Sequence, residues 1–363
     1  MAGALEGLTI IEMAGLGPGP FAAMMLADHG ARVIRVERPG NLSIPNDPLT
    51  RNRESIALDL RQDEGRDLVR GLAARADGLI EGYRPGVMER LELGPERLLG
   101  DNPRLIYGRV TGWGQTGPLA QDAGHDINYL ALTGLLSCIG EADRPPAVPL
   151  NLVADYAGGG LMLAFGMLAG LIAAQRTGEG QVIDAAMTDG AALTGAIVFG
   201  LRAAGMWRDE RGANLLDGGD PIYGCYRCAD GKDLAVGAIE PQFRAALYDG
   251  LGLAPGAGRQ AIAAAFATRG RDEWMAQFDG KDACVAPVLD LGEAPEHPHN
   301  RARGTFIDVD GVVQPRSAPR FERTPSPPPR LPRDPGCDGD AILAELGLSQ
   351  HEIVELRDRG VLL

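Results

Sequence analysis

The chain has 363 residues, of which 45% are hydrophobic and only 5% aromatic, and it carries a net charge of −14 with a pI near 4.9. This length can bury a large core and is typical of two domains, or of one large domain with an insertion. The acidic balance argues against nucleic acid or an anionic membrane as the main partner, because both require a basic surface.

The cysteine pattern and the N-terminus together predict a cytoplasmic protein. The five cysteines are scattered and odd in number, which favours a reducing compartment over a disulfide framework. The N-terminal residues form neither a signal-peptide pattern nor a transit pattern. The apolar run at residues 161–174 is shorter than a membrane span and predicts a buried core helix.

The first forty residues predict a β-α-β unit and hence a parallel sheet. Residues 8–13 and 31–36 are short and β-branched, and residues 20–29 have helical apolar spacing. Between them, the Gly-rich turn at residues 15–20, with Glu37 after the second strand, weakly resembles a nicotinamide-cofactor motif. Pro18 and Pro20 remove N–H donors that a pyrophosphate would need, so we interpret the stretch as a helix-opening turn.

Further strands are predicted at residues 55–60, 77–81, 105–111 and 181–186, with a helix at about 63–75. Arginines recur where these strands end: Arg38, Arg61, Arg84 and Arg90. The carboxyl ends of parallel strands form the usual ligand crevice, and guanidinium groups suit phosphate oxygens. The alternative is that they are solvated, since only two of the 35 basic residues are lysines.

The second half of the chain predicts a smaller α+β region and a return segment. Residues 190–220 are mostly helical and end in a polar stretch that suits a linker. Strands at residues 223–228 and 233–239 flank Asp230 and Gly231, a hairpin signal. The Pro-rich residues 324–335 predict an extended connector. A capping box at Ser349 and Glu352 opens a final helix.

One imidazole and one carboxylate, His125 and Asp155, each lie on a Gly-flanked stretch. Such a pair could remove a proton from one face of a carbon and return it to the other. Taken alone, His125 is explained by a capped helix and Asp155 by a helix N-cap. His297 and His299 flank a proline without a third ligand pattern, so no metal is predicted.

Several motifs in order resemble the family III CoA-transferase superfamily, and within it the α-methylacyl-CoA racemases. They are Gly-His-Asp-Ile-Asn-Tyr at residues 124–129, Asp155, Gly-Tyr-Arg-Pro-Gly at 82–86 and Gly-Trp-Gly-Gln-Thr-Gly-Pro at 112–118. The resemblance implies an α/β fold, with a Rossmann-like large domain built from both chain ends and an interlocked homodimer. We expect a large CoA-binding domain at 1–190, a linker at 191–220, a small α+β domain at 221–310 and a return segment with a C-terminal helix at 311–363.

The resemblance also implies roles for particular residues. His125 and Asp155 correspond to the catalytic pair, and Glu240 to a glutamate that the partner subunit places against the histidine. The residues implied in CoA binding are Arg38, Leu58, Asp59, Leu60, Arg61, Gly82, Tyr83, Arg84, Arg90, Gly124, Asp126, Asn128 and Tyr129.

The implied reaction interconverts (2R)- and (2S)-2-methylacyl-CoA thioesters by 1,1-proton transfer through an enolate, as part of fatty acid metabolism. A thioester acidifies its α-hydrogen, and histidine, with an unperturbed pKa near 6.5, can act as acid or base. CoA is then part of the substrate, and no separate cofactor is expected. Two alternatives stay open: a CoA-transferase that uses Asp155 as nucleophile, and a non-catalytic CoA-thioester-binding protein. By resemblance, His125 favours the racemase.

Overall fold

The computed structural model describes residues 3–38 and 44–363, which divide into two compact units. The first unit comprises Met1–Thr133, Leu150–Gly195 and Phe306–Leu363, and the second Gly134–Pro149 and Ala196–Thr305. This division differs from the boundaries expected from the sequence. Residues 134–149 cluster with the second unit, not the large domain, and most of the expected linker at 191–220 belongs to that unit and includes a helix.

A six-stranded parallel sheet forms the centre of the first unit, in the order β3-β2-β1-β4-β5-β6. Its strands are β1 (Thr9–Met13), β2 (Arg32–Glu37), β3 (Arg53–Ala57), β4 (Gly78–Glu81), β5 (Ile106–Thr111) and β6 (Gln181–Ala186). The order reverses between β1 and β4, which is the topological switch point of a Rossmann-like sheet. The predicted α/β fold with a parallel sheet is confirmed.

Helices cover both faces of this sheet, so the central strands are buried, and most of their residues are apolar. Ile10, Leu79, Ile80 and Ile106 are at most 1% exposed. The helices of the first unit up to its core helix are α1 (Pro18–Asp28), α2 (Asp63–Ala73), α3 (Val87–Arg90), α4 (Pro95–Asp101) and α5 (Asp126–Leu132). Helix α1 begins with a proline after Gly17, which confirms the helix-opening turn predicted there.

The predicted core helix is longer than the sequence indicated. A π-helical segment, Leu152–Leu161, runs directly into α6 (Met162–Thr177), and α7 (Met187–Thr194) follows β6. The stretch Leu152–Thr177 is apolar enough, by length and composition, to cross a membrane, with mean hydropathy 1.8, yet half of its apolar window is buried. Helix α6 packs against the sheet through Gly166 and Gly170, where added Cβ atoms would lie 2.7 Å from Ile183 and 2.9 Å from Ile106.

The second unit has its own three-stranded antiparallel sheet and its own core. The sheet has the order β7-β8-β9, and β7 and β8 form the hairpin predicted around Gly231. Phe266, Leu234 and Leu247 are fully buried. Its elements are α8 (Ala196–Ala203), β7 (Tyr223–Arg227), β8 (Asp233–Gly237), α9 (Pro241–Leu251), α10 (Arg259–Phe266), α11 (Arg271–Phe278), β9 (Val285–Pro287), α12 (Glu293–Glu296) and α13 (Pro298–Arg303).

The C-terminal segment returns to the first unit and completes it. It contains a hairpin of β10 (Phe306–Val309) and β11 (Val312–Pro315), then α14 (Gly339–Leu346) and α15 (Gln350–Asp358). Ser349 caps α15 with Glu352, as predicted. Edge strand β3 receives this segment, because Leu363 donates its N–H to the Ala57 carbonyl at 2.9 Å and Asp338 accepts from Ser55.

Candidate active site

The candidate site lies in the first unit, at the edge of the sheet where the parallel strands end. A cavity of about 690 Å³ opens there. Its lining includes both residues of the hypothesised proton pair, His125 and Asp155, and three further predicted site residues: Arg38, Gly124 and Tyr129. The loop after β1 contributes Gly15, Leu16 and Gly17. Two groups that are thirty positions apart in the chain therefore face one space.

His125 is held at the start of α5 with a defined tautomer. Its backbone N–H donates to Asn128 Oδ1 at 3.0 Å, so the Asn128 side chain holds the His125 backbone in place. The ring Nδ1 lies 2.6 Å from the Gly124 carbonyl oxygen, and a carbonyl can only accept. Nδ1 therefore carries the hydrogen, and Nε2 of the neutral ring is left as the basic nitrogen.

Asp155 is half-buried within the π-helical segment, so it is not the helix N-cap considered from sequence. Its Oδ2 accepts a hydrogen bond from Asn151 Nδ2 at 3.3 Å, and a Cβ added to Gly17 would lie 3.5 Å from the same oxygen. Burial raises the pKa of the Asp155 carboxyl group, and nearby Asp126 raises it further, while Asn151 and His125 oppose the shift. The protonated form of Asp155 is thus populated at a higher pH than the protonated form of an exposed aspartate.

Asp126 connects the two turns. It is only 4% exposed, and its Oδ2 accepts hydrogen bonds from the backbone N–H groups of Ala154 and Asp155, both at 2.7 Å. The sequence predicted a contact between Asp126 and CoA. The structure instead directs this carboxylate to the backbone of the Asp155 segment, and Asp126 is not among the residues that line the cavity.

Three consecutive glycines bring the Asp155 segment close to its neighbours. A Cβ at Gly158 would lie 2.6 Å from the backbone nitrogen of Ala191 in α7. One at Gly160 would lie 3.0 Å from the Pro18 carbonyl in α1, and one at Gly159 would meet Met187. Only residues without a side chain allow these backbones to approach so closely, and a π-helix is itself frequent at functional sites.

A buried ion network supports the part of the cavity wall that Arg35, Glu37 and Arg53 form. Glu12 is fully buried and forms ion pairs with Arg35 and with Arg53, whose Nε lies 2.9 Å from Glu12 Oε2. Arg53 also donates to the Pro20 carbonyl at 2.6 Å, which ties β3 to α1. Arg35 lies 3.3 Å from Glu37. The two arginines and two glutamates balance in charge, so this wall is not an anion site by itself.

The remaining predicted CoA residues do not line the cavity: most of them follow β3 and β4, and Asp126 and Asn128 lie on α5. Arg84 and Arg90 are exposed, as is Gly82, while Tyr83 donates its hydroxyl to the Ala14 carbonyl at 3.1 Å. Asn128 is exposed on α5 and occupied with the His125 backbone.

Residues 58–61 form the turn that follows β3. The Leu58 side chain is 1% exposed in the core, so only its backbone could reach a ligand. Leu60 is partly buried and packs against the same core. Arg61 forms a bidentate ion pair with Asp59, with both distances 2.8 Å, which occupies its guanidinium group.

Glu240, the third predicted catalytic residue, belongs to the second unit. It is exposed and stands immediately before α9, where Pro241 begins the helix. Cys284 is close enough for Glu240 to contribute, after burial, to raising the pKa of its thiol.

Sequence reasoning missed several residues of the site. Asn151 could have been found, because it stands four residues before Asp155, the spacing at which helical side chains meet. Gly17 has φ +71°, a conformation that favours glycine, but nothing in the sequence indicated its closeness to Asp155. Arg35 and Arg53 read as ordinary strand residues, although both line the cavity.

The chain matches the model of CoA-transferase family III over residues 5–341. It is 48% identical to "Alpha-methylacyl-CoA racemase" of Mus musculus, across 97% of this chain and 96% of that protein. It is 31% identical to "Acetyl-CoA:oxalate CoA-transferase" of Acetobacter aceti, across 86% of this chain and 88% of that protein.

Among solved structures, a CaiB/BaiF family protein from Brucella suis superimposes with a TM-score of 0.82 and 29% sequence identity. The superposition covers 95% of this chain and all of that one.

Proposed function

The chain belongs to CoA-transferase family III, and from that premise we propose that it is an α-methylacyl-CoA racemase. Support comes from the 48% identity to the mouse racemase over nearly the whole of both chains. The proposed reaction interconverts (2R)- and (2S)-2-methylacyl-CoA thioesters by moving the α-hydrogen from one face of the carbon to the other. We further propose, from the resemblance, that this reaction serves fatty acid metabolism.

One observation carries the mechanism: His125 and Asp155 line the same cavity. Inversion at one carbon requires a base on one face and an acid on the other. Neutral His125 offers Nε2 as a base, since Nδ1 donates to Gly124. Asp155 offers a carboxyl group whose pKa is raised by burial, which makes its acid form available nearer to neutrality. The roles exchange when the opposite enantiomer reacts.

CoA is proposed to lie along the carboxyl edge of the sheet, with its thioester reaching into the cavity. Arg38, Arg84 and Arg90 follow β2 and β4 at that edge and are exposed, so their guanidinium groups are open to phosphate oxygens. Arg61 would need to exchange its Asp59 partner for a phosphate. CoA serves as part of the substrate, and the proposal requires no further cofactor and no metal.

A homodimer is proposed as the working assembly. Leu161, the last residue of the π-helical segment, and Phe165 and Ile172 of α6 are exposed at spacings of four and seven residues, which places them on one face. An apolar face of this kind favours burial against another protein surface. By family resemblance, Glu240 of the partner subunit would then orient His125. A cytoplasmic location is proposed from the acidic charge and five free cysteines.

The proposal is tested by α-hydrogen exchange in heavy water. Each enantiomer of a 2-methylacyl-CoA is incubated with the enzyme, and deuterium incorporation and inversion are followed separately by mass spectrometry and chiral analysis. Wild type should exchange and invert both. His125→Ala and Asp155→Asn should each lose roughly 10²–10⁴-fold in inversion. Because one base remains in each variant, residual exchange should be confined to opposite enantiomers.

His351→Ala is the matched control, because His351 lies exposed on α15, where it pairs with Glu355 four residues later. It should leave both rates unchanged. A wild-type enzyme that exchanges no faster than the His125→Ala, Asp155→Asn double variant, on any branched acyl-CoA tested, would reject the racemase.

The similar Acetobacter aceti protein keeps CoA transfer open as the second candidate. In that reaction Asp155 would attack the thioester carbonyl and form a mixed anhydride as CoA thiolate leaves. CoA would afterwards be passed to an acceptor carboxylate. Hydroxylamine should then attack the Asp155 carbonyl of the anhydride, releasing the substrate acid and leaving an Asp155 hydroxamate that inactivates the enzyme. We expect no trapping, and a covalently labelled Asp155 would favour the transferase instead.

A further inference from the structure

We propose that Asp126 is a positioning residue that fixes the backbone of Asp155 and keeps a negative charge beside its carboxyl group. The inference rests on the proposed function, since it assigns a task within the same proton transfer. Asp126 itself is not expected to touch the substrate, because its carboxylate is buried and Asp126 is not among the residues that line the cavity.

Asp126 fixes the main chain around Asp155. The opening turn of any helix leaves backbone N–H groups without partners inside the helix. In the segment Leu152–Leu161, the N–H groups of Ala154 and Asp155 both converge on Asp126 Oδ2 at 2.7 Å. These are charge-assisted bonds to a buried acceptor, which are stronger than bonds between neutral groups. The position of the Asp155 main chain is therefore set by one carboxylate.

The Asp126 carboxylate also adjoins His125, the second residue of the proton-carrying pair. Asp126 follows His125 directly, and helix α5 is anchored in turn by buried Tyr129 and Leu130. One contact thus fixes the separation of the two proton-carrying residues, although thirty residues lie between them. Errors of about 1 Å in such a separation cost about 10²-fold in rate.

Asp126 also acts on Asp155 through its charge. Burial contributes most to raising the pKa of Asp155, and the charge of Asp126 adds to it, against the hydrogen bond from Asn151 and the influence of His125. Tyr129 also interacts with Asp155. Burial is the main cause that raises the pKa of the Tyr129 phenol, and the charge of Asp155 adds to it.

The other elements packed against the segment add little to this balance. Helix α1 carries Asp28, which is paired with Arg51. Helix α7 carries Asp189, and α6 carries Arg176 in its last turn. Asp126 Oδ1 is buried and has no hydrogen-bond partner among the described residues, so its charge is left free to act on Asp155.

The test uses Asp126→Asn, which keeps an oxygen to accept both N–H groups but removes the charge. Asp155 is followed by ¹³C carboxyl NMR in wild type and variant, with the signal assigned through Asp155→Asn. The Asp155 pKa should be lower in Asp126→Asn, and the limb of the kcat/KM pH profile that reports Asp155 should move in the same direction. An unchanged Asp155 titration in a folded Asp126→Asn protein would overturn the electrostatic part.

Asp126→Ala removes the acceptor as well, and kcat should fall about 10²-fold with a much smaller change in KM. Asp143→Ala, an exposed loop aspartate, is the control and should change neither. A loss of thermal stability with kcat retained would mean that Asp126 is merely structural.

If neither variant folds, the wild-type amide protons of Ala154 and Asp155 provide the readout. They should exchange slowly with solvent, and rapid exchange would refute the proposal that Asp126 holds these two N–H groups. The NMR measurements need no substrate, so they can succeed even if the racemase assay fails, and the two proposals are judged separately.

Discussion

At the scale of single residues, the chemistry of the site is controlled by where Asp155 sits rather than by its identity. The same side chain on an exposed loop would be ionised across the neutral range. Here burial raises its pKa, and the folded state therefore holds the proton more tightly than the unfolded chain does. A group of this kind stabilises the fold when it is protonated and ceases to do so as pH rises through the folded-state pKa.

Asp155→Asn should consequently make the protein more stable at pH 7, because the variant no longer carries a partly desolvated charge. The gain in melting temperature should shrink as the pH is lowered, because wild-type Asp155 then becomes protonated and no longer carries the charge. Thermal unfolding monitored by circular dichroism between pH 4 and 8 measures this. The exposed Asp143→Asn should have the same melting temperature as wild type at each pH. A melting temperature lower than wild type at pH 7 would contradict the argument.

Sequence identified His125 and Asp155 because their residue types suit proton transfer and their motifs resemble a known family. It could not identify Asp126 as the link between them. The contact joins residues 28 and 29 positions apart, through main-chain groups that carry no sequence signal. The family resemblance implied that Asp126 contacts CoA, and the structure shows only that its carboxylate accepts hydrogen bonds from the Asp155 segment.

At the scale of elements, the π-helical segment is the part that sequence described least well. The apolar run predicted a helix from residue 161, whereas the helical stretch begins at Leu152. Three consecutive glycines normally disfavour a helix. Here they allow α1 and α7 to press against the segment, and tertiary packing outweighs the low intrinsic propensity.

Gly158→Ala should therefore disrupt this packing and the site together. The new methyl group would lie 2.6 Å from a backbone nitrogen of α7, which cannot move aside as a side-chain end could. We expect a loss of roughly 1–3 kcal/mol in the free energy of unfolding and a fall in kcat through displacement of Asp155. Urea unfolding and steady-state kinetics measure the two effects.

Gly100→Ala is the matched control, since Gly100 is exposed in α4 and an added Cβ meets nothing within 4 Å. It should increase stability by roughly 0.5–1 kcal/mol and leave kcat unchanged. Equal effects of the two substitutions would mean that the close approach at Gly158 is not important.

At the scale of the whole molecule, the order of the sheet explains why the site is where it is. The order reverses between β1 and β4, and the loops that follow these two strands meet through the Tyr83 hydroxyl and the Ala14 carbonyl. The six strands were predictable because each is a short segment with apolar or β-branched residues between turn signals. The unit boundaries were less so, since residues 134–149 leave the first unit and return to it within sixteen positions.

The proposed homodimer makes its own prediction. Phe165 is 71% exposed on α6, and Phe165→Asp would place a charge in any apolar contact made there. Light scattering should give twice 38.3 kDa for wild type and 38.3 kDa for the variant. Val354→Asp, on the exposed side of α15, should remain dimeric. A wild-type monomer with full racemase activity would exclude the assembly.

The contact between β3 and the C-terminal segment has a consequence for biosynthesis. Ala57 and Ser55 bond with Leu363 and Asp338, residues made some three hundred positions later. While the chain is still on the ribosome, β3 therefore presents an open strand edge, which is the kind of surface that recruits other nascent strands. We infer that the β3 edge stays uncovered until residues 338–363 have been synthesised, and that the demand for chaperones should be greatest before that segment emerges.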